Sequence, residues 1–236
     1  MGFRWEWNFF LRDTGAGETY LGWMMSAWGW TLAVEGCSWL VALALGSAVG
    51  TLRTLPSPWL ARPARAWVEL FRNIPVLVQI FLWYHVIPEF IPPLKELPAF
   101  VLVVCALGLF TSARIAEQLR AGIESLSRGQ RQAGLAVGLS LAQTYRYVLL
   151  PMAFRIILPP LTSEAMNVVK NSSVAFAVSV GELTLFALQA QEETSRGVEV
   201  YLAVTALYAA SAFAVNRCMR WIEGRARLPG TLEGAR

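Results

Sequence analysis

Five stretches of this sequence are each apolar over about twenty residues, the length a helix needs to cross a hydrocarbon layer roughly 30 Å thick. They run from Ala27 to Leu52, Ala66 to Pro88, Pro98 to Leu119, Phe154 to Ala177 and Val198 to Arg217. In lipid a backbone must satisfy its own hydrogen bonds, so the chain is predicted to be an all-α membrane protein with five transmembrane helices. Composition agrees, because 56% of the 236 residues are hydrophobic and 15% charged, against about 45–50% and 25% in soluble domains. That surplus of apolar surface needs a second solvent, and ten Trp suit the membrane–water interface.

Basic residues give an orientation. With the N-terminus outside, fourteen of the twenty Lys and Arg fall in inward-facing segments. Four (Arg4, Arg12, Lys95 and Arg196) then face outward, while Arg72 and Lys170 lie within spans. Positive charge collects on the cytoplasmic side, so the N-terminus is expected to be periplasmic and the C-terminus cytoplasmic. Charged residues interrupt positions 1–22 and no small-residue cleavage site follows an apolar stretch, so the first hydrophobic segment is expected to remain as an anchor. The expected organisation is a periplasmic tail over 1–23, a five-helix membrane domain over 24–222 with a cytoplasmic loop at about 120–150, and a cytoplasmic tail over 223–236.

Several chemistries are excluded. The net charge of +4 is dispersed through apolar sequence and forms no solvated basic face for nucleic acid. Cys37, Cys105 and Cys218 lie in apolar runs without CxxC spacing, which argues against disulfides and zinc. His85, the single His, reads as an interfacial residue and not a metal ligand. No catalytic triad or paired-acid arrangement appears, and no G-x4-G-K-[ST] loop is present to cradle nucleotide phosphates. Catalytic and metal-binding residues are therefore expected to be absent.

The cytoplasmic loop carries local signals. Ser127-Arg128-Gly129-Gln130 has the S-x-x-Q form of a capping box, so a helix is predicted to start there. It should stop at Gly138, the residue type that enters the left-handed region without steric cost. Ser140-Leu141-Ala142-Gln143 repeats the box and predicts a second helix, broken or kinked at Pro151 by the missing N–H. These features suit either amphipathic helices resting on headgroups or a docking element. On the outer side, the segment from Val178 to Gly197, with Glu182, Glu192 and Glu193, is expected to form a surface helix and a turn.

Spacing in that loop resembles a family. Gln132-Ala133-Gly134, three residues, Gly138, nine residues and Val148-Leu149-Leu150-Pro151 are similar to the E-A-A-x3-G-x9-I-x-L-P signature of ATP-binding-cassette (ABC) importer permeases. Gln132 stands where that pattern has Glu, and Gly134 where it has Ala. Glu69-Leu70-Phe71-Arg72-Asn73-Ile74-Pro75-Val76-Leu77-Val78-Gln79 and Lys170-Asn171-Ser172-Ser173 resemble two further motifs of polar amino-acid permeases. Trp5-Glu6-Trp7-Asn8, Tyr20-Leu21-Gly22-Trp23 and Leu109-Phe110-Thr111-Ser112-Ala113-Arg114 are nearest to glutamate/aspartate importer subunits.

The resemblance implies a type I permease core in the bacterial inner (cytoplasmic) membrane. Its implied partners are a second homologous permease, two copies of an ABC ATPase and a periplasmic amino-acid-binding protein. ATP and Mg would sit on the ATPase, with no cofactor bound by this chain, and Gln132, Ala133, Gly134, Gly138 and Pro151 would couple the two.

Charges within membrane spans are costly and are candidates for function. Here they are Glu35, Glu69, Arg72, Arg114, Glu117, Glu164 and Lys170. Glu69, Arg72, Arg114 and Glu117 lie toward cytoplasmic span ends, where they can snorkel or pair; isolated Glu35 is expected to meet a partner helix. In the fourth span Ser163, Asn167 and Lys170 fall at i, i+4 and i+7, and Glu164, Asn167 and Asn171 at i, i+3 and i+7, giving one polar face. That face suits either contacts with a sister permease or a substrate path. For an amino acid, Glu164 with Asn167 offers partners for the ammonium, and Lys170 with Asn171 and Ser172 offers partners for a carboxylate. Arg72 or Arg114 supplies a second cation for an acidic substrate if Pro75 bends the second span. The alternative is a secondary transporter or channel using Glu35, Glu164 and Lys170 as ion relays.

Overall fold

The computed structural model describes residues 5–226. Residues 1–4 of the expected N-terminal tail, and the expected C-terminal tail beyond position 226, lie outside the described residues. Ten α-helices run in chain order: α1 (Tyr20–Thr54), α2 (Pro58–Asn73), α3 (Val76–Phe81), α4 (Ile87–Phe90), α5 (Ala99–Glu124), α6 (Arg128–Ala136), α7 (Leu141–Thr144), α8 (Leu150–Ser172), α9 (Leu183–Thr194) and α10 (Gly197–Ala226). Among the described residues four helical runs are long and apolar enough to cross a membrane: α1, α5, Leu141–Val178 and α10. A broken pair, α2 followed by Val76–Phe90, supplies the fifth.

The second span is thus not the single helix expected from Ala66 to Pro88. Proline disfavours the helical region for the residue before it, and Pro75 is itself extended at ψ 138°. The break orphans the Ile74 carbonyl, which accepts instead from the buried Gln79 side-chain amide at 2.9 Å.

Two compact units form. One is built from residues up to 41, 74–108 and 167–213, the other from 42–73, 109–166 and the residues from 214 on. The chain passes between them within α1, α5, α8 and α10 and at the α2–α3 break.

In the first unit Phe9, Tyr20 and Met24 pack with Leu183, Phe186 and Val200. The expected helix and turn are present, with Glu192 and Glu193 exposed, but the other face of α9 is core: Leu183, Phe186, Ala187 and Ala190 are 0–1% exposed. Left-handed residues bound it, Ser179 (φ 60°) on one side and Ser195 (φ 56°) on the other. Glu182, also fully buried, caps the helix by accepting from the N–H groups of Thr184 (2.9 Å) and Leu185 (3.0 Å) and from the Tyr208 hydroxyl (2.6 Å). Its acidic side chain looked solvent-facing in sequence, but it is a helix cap.

In the second unit the C-terminal half of α1 lies hard against α5. A Cβ at Gly46 would meet Ile115 Cβ at 2.7 Å, and one at Gly50 the Ala116 carbonyl at 2.8 Å, so the approach requires glycine at both. The amphipathic α2 buries Ala61, Ala64 and Val68, and Trp67 Nε1 donates to Ser112 Oγ at 3.2 Å.

Candidate functional site

The loop between α5 and α8, within the second unit, begins with α6. Ser127 has the extended backbone of an N-cap (ψ 141°), but its side chain makes no capping bond. The capping box expected there is not formed; the Gln130 N–H donates to the Ser127 carbonyl at 3.0 Å and the backbone closes the turn.

The far end of α6 follows expectation. Gly138 is left-handed at φ 86°, with Leu139 N–H on the Gly134 carbonyl (3.2 Å) and Gly138 N–H on Leu135 (3.1 Å). This pair of bonds is the Schellman stop. Ser140 and Gln143 form the reciprocal box, at 3.2 and 2.8 Å.

Gly134 also has a packing reason for departing from Ala, since a Cβ there would meet Thr144 Cγ2 at 2.7 Å. Gln132 and Ala133 are exposed, as are Leu135 at 44% and Val137 at 78%. No break occurs at Pro151. A wide π turn at Tyr145–Leu149 precedes it and the helix continues as α8.

Several charged side chains in the same unit are paired. Arg114 forks Glu164 through Nε (2.6 Å) and Nη2 (3.0 Å), and Gln118 Nε2 adds a bond to the same carboxylate at 3.1 Å. Glu164 is 7% exposed and Arg114 39%, so the pair has a buried and an open side. Sequence reading missed Gln118, although its i+4 spacing from Arg114 puts it on the same helical face. Glu117 accepts from Arg53 and Arg120, and Arg120 also reaches Glu124. Arg72 ends α2 exposed.

In the first unit, Lys170 is exposed and forms no ion pair among the described residues. Asn167 and Asn171 are half-buried. Ser172 is fully buried; its hydroxyl donates to the Val169 carbonyl at 2.7 Å and lies 3.4 Å from Glu35 Oε1. The neighbour of Glu35 that the sequence left open is therefore Ser172, and the carboxyl itself is 6% exposed.

The model of a family described as the binding-protein-dependent transport system inner membrane component matches residues 42–228. This chain belongs to that family. The permease is 41% identical over 245 residues to the glutamate/aspartate import permease protein GltJ of Escherichia coli (strain K12), covering 99% of this chain and 100% of the relative. It is 31% identical over 205 residues to the glutamine transport system permease protein GlnP of the same organism, covering 86% and 90%. A crystal structure of an amino acid ABC transporter with histidines matches with a TM-score of 0.76 at 28% identity, over 87% of this chain and 95% of that one. The chain is thus a multi-pass amino-acid ABC importer permease of the inner membrane, working with other components of such a transporter.

Proposed function

We propose that this permease imports glutamate and aspartate, beside a second homologous permease, two copies of an ABC ATPase and a periplasmic amino-acid-binding protein. The carrying observation is its end-to-end similarity to a glutamate/aspartate import permease, which exceeds that to a glutamine permease. ATP and Mg belong to the ATPase, and this chain binds no cofactor and does not hydrolyse ATP. Its N-terminus is periplasmic and its C-terminus cytoplasmic. That orientation is supported by the charge asymmetry.

Docking to the ATPase uses α6 and its stop. Gln132 and Ala133 offer an open surface, Gly134 and Gly138 fix the shape of the turn, and Pro151 leads into α8. Substrate follows the polar face of α8, where Lys170, Asn167 and Asn171 meet its carboxylate and polar groups; Ser172, buried against Val169 and Glu35, lies behind that face. In the other unit Glu164, Arg114 and Arg72 are the further candidates for substrate contact, with Arg114 exchanging part of its hold on Glu164 for a substrate carboxylate.

The test is reconstitution of all four components with a panel of amino acids. ATPase stimulation by glutamate and aspartate above glutamine is the expected result. Stimulation by glutamine or a basic amino acid, with none by the acidic pair, overturns the substrate assignment.

A further inference from the structure

The last carbonyls of a helix have no partner within it and need one from elsewhere. At the end of α1 the Thr54 carbonyl is such a group. It accepts from the Tyr145 hydroxyl at 2.8 Å, across 91 positions of sequence. Tyr145 is 5% exposed and opens the wide turn that joins α7 to α8. The residue before it, Thr144, is fully buried, sits against Gly134 of α6 and donates to the Ser140 carbonyl at 3.0 Å. On the other side, Arg53 next to Thr54 binds Glu117 of α5.

We infer that the Tyr145 hydroxyl is a strut carrying displacement of the docking loop to the end of the first span, which makes Tyr145 a positioning residue for coupling. The contacts run without a gap from Gly134 through Thr144 and Tyr145 to Thr54, Arg53 and Glu117. Thr144 packs on Gly134, Tyr145 bonds Thr54 and Arg53 bonds Glu117, the peptide bonds between neighbours join these contacts, and the loop at one end is held by its two caps. A shift of α6 therefore displaces Thr144 and, through the hydroxyl, pulls on a helix end. Through this bond the loop reaches a helix end 91 positions away in sequence. The inference rests on the docking reading given above.

Tyr145→Phe removes the hydroxyl and keeps the ring, so the buried packing is retained. In the reconstituted four-component transporter this variant is expected to insert and assemble at the normal level, with unchanged basal ATP hydrolysis. ATP consumed per amino acid imported should rise about fivefold, the factor that one hydrogen bond of ordinary net strength carries. An unchanged ratio overturns the strut, and so does a fall in uptake that only follows a loss of assembled protein. Gly138→Val, tested in parallel, separates the two levels. If it raises the ratio while Tyr145→Phe does not, the strut fails alone; if neither does, the docking reading fails with it.

Discussion

Glu164 shows how this chain tolerates charge inside a membrane segment. A carboxylate at 7% exposure is accepted because three N–H donors from Arg114 and Gln118 replace its water. Removing the carboxylate alone strands Arg114, so Glu164→Ala should destabilise the purified permease by about 2 kcal/mol, lowering its unfolding midpoint in detergent by roughly 4–8 °C. The double variant Arg114→Met with Glu164→Met should cost less than the sum of the two single variants, and strict additivity would show that the pair is not coupled.

Glu182 differs, because its partners are a helix end and a phenol. Burial pushes its carboxyl above the ordinary carboxylate range, against the opposing pull of the Thr184 N–H, the Tyr208 hydroxyl and the Leu185 N–H. A folded-state pKa above the unfolded one makes its contribution complete below the unfolded value and diminishing as pH rises through the folded one. Glu182→Gln should therefore remove the fall in stability that sets in as pH rises above the ordinary carboxylate range, whereas Glu182→Ala should lower stability by about 1–2 kcal/mol at every pH by orphaning the cap. Identical profiles for the two would contradict the assignment. Sequence showed both acids as charged residues to be explained. It did not show which helix answers them, because that contact is set by packing between distant segments.

At the scale of elements, the loop between α5 and α8 was largely legible because its signals are local. Gly138 and the box from Ser140 to Gln143 follow from residue types at fixed offsets, and both are present. Ser127 carries the same four-residue signal without forming the bond, since a backbone contact reached the same end. Space around Gly138 is open, with nothing within 4 Å of a built Cβ, so Gly138→Val pays in backbone strain alone, about 1–2 kcal/mol. It should uncouple hydrolysis from uptake without loss of membrane insertion.

Gly134 is limited by space instead. Gly134→Ala restores the family pattern yet should cost about 1–3 kcal/mol by overpacking against Thr144. Adding Thr144→Ser, which deletes the methyl at 2.7 Å, should recover most of that loss, and a failure to recover would place the constraint elsewhere. The broken second span was half-read: Pro75 marked the position, but the use of Gln79 to satisfy Ile74 depends on a side chain folding back.

For the whole molecule, lipid made the five apolar stretches readable, because a span has to be long, helical and apolar whatever its neighbours are. The burial of α9 was not readable in this way. Its acidic residues suggested solvent, and only the packing of Phe186 and Leu183 with the N-terminal segment shows it as core. The relatives of the chain are permeases of binding-protein-dependent importers, and on the proposed function its movement is driven by a partner ATPase. The most direct measurement is uptake of labelled glutamate into proteoliposomes containing both permeases and saturating binding protein, with and without the ATPase. Uptake that appears only when the ATPase is present and hydrolysing ATP is the predicted result; gradient-driven uptake at the full rate by the permeases alone would contradict it.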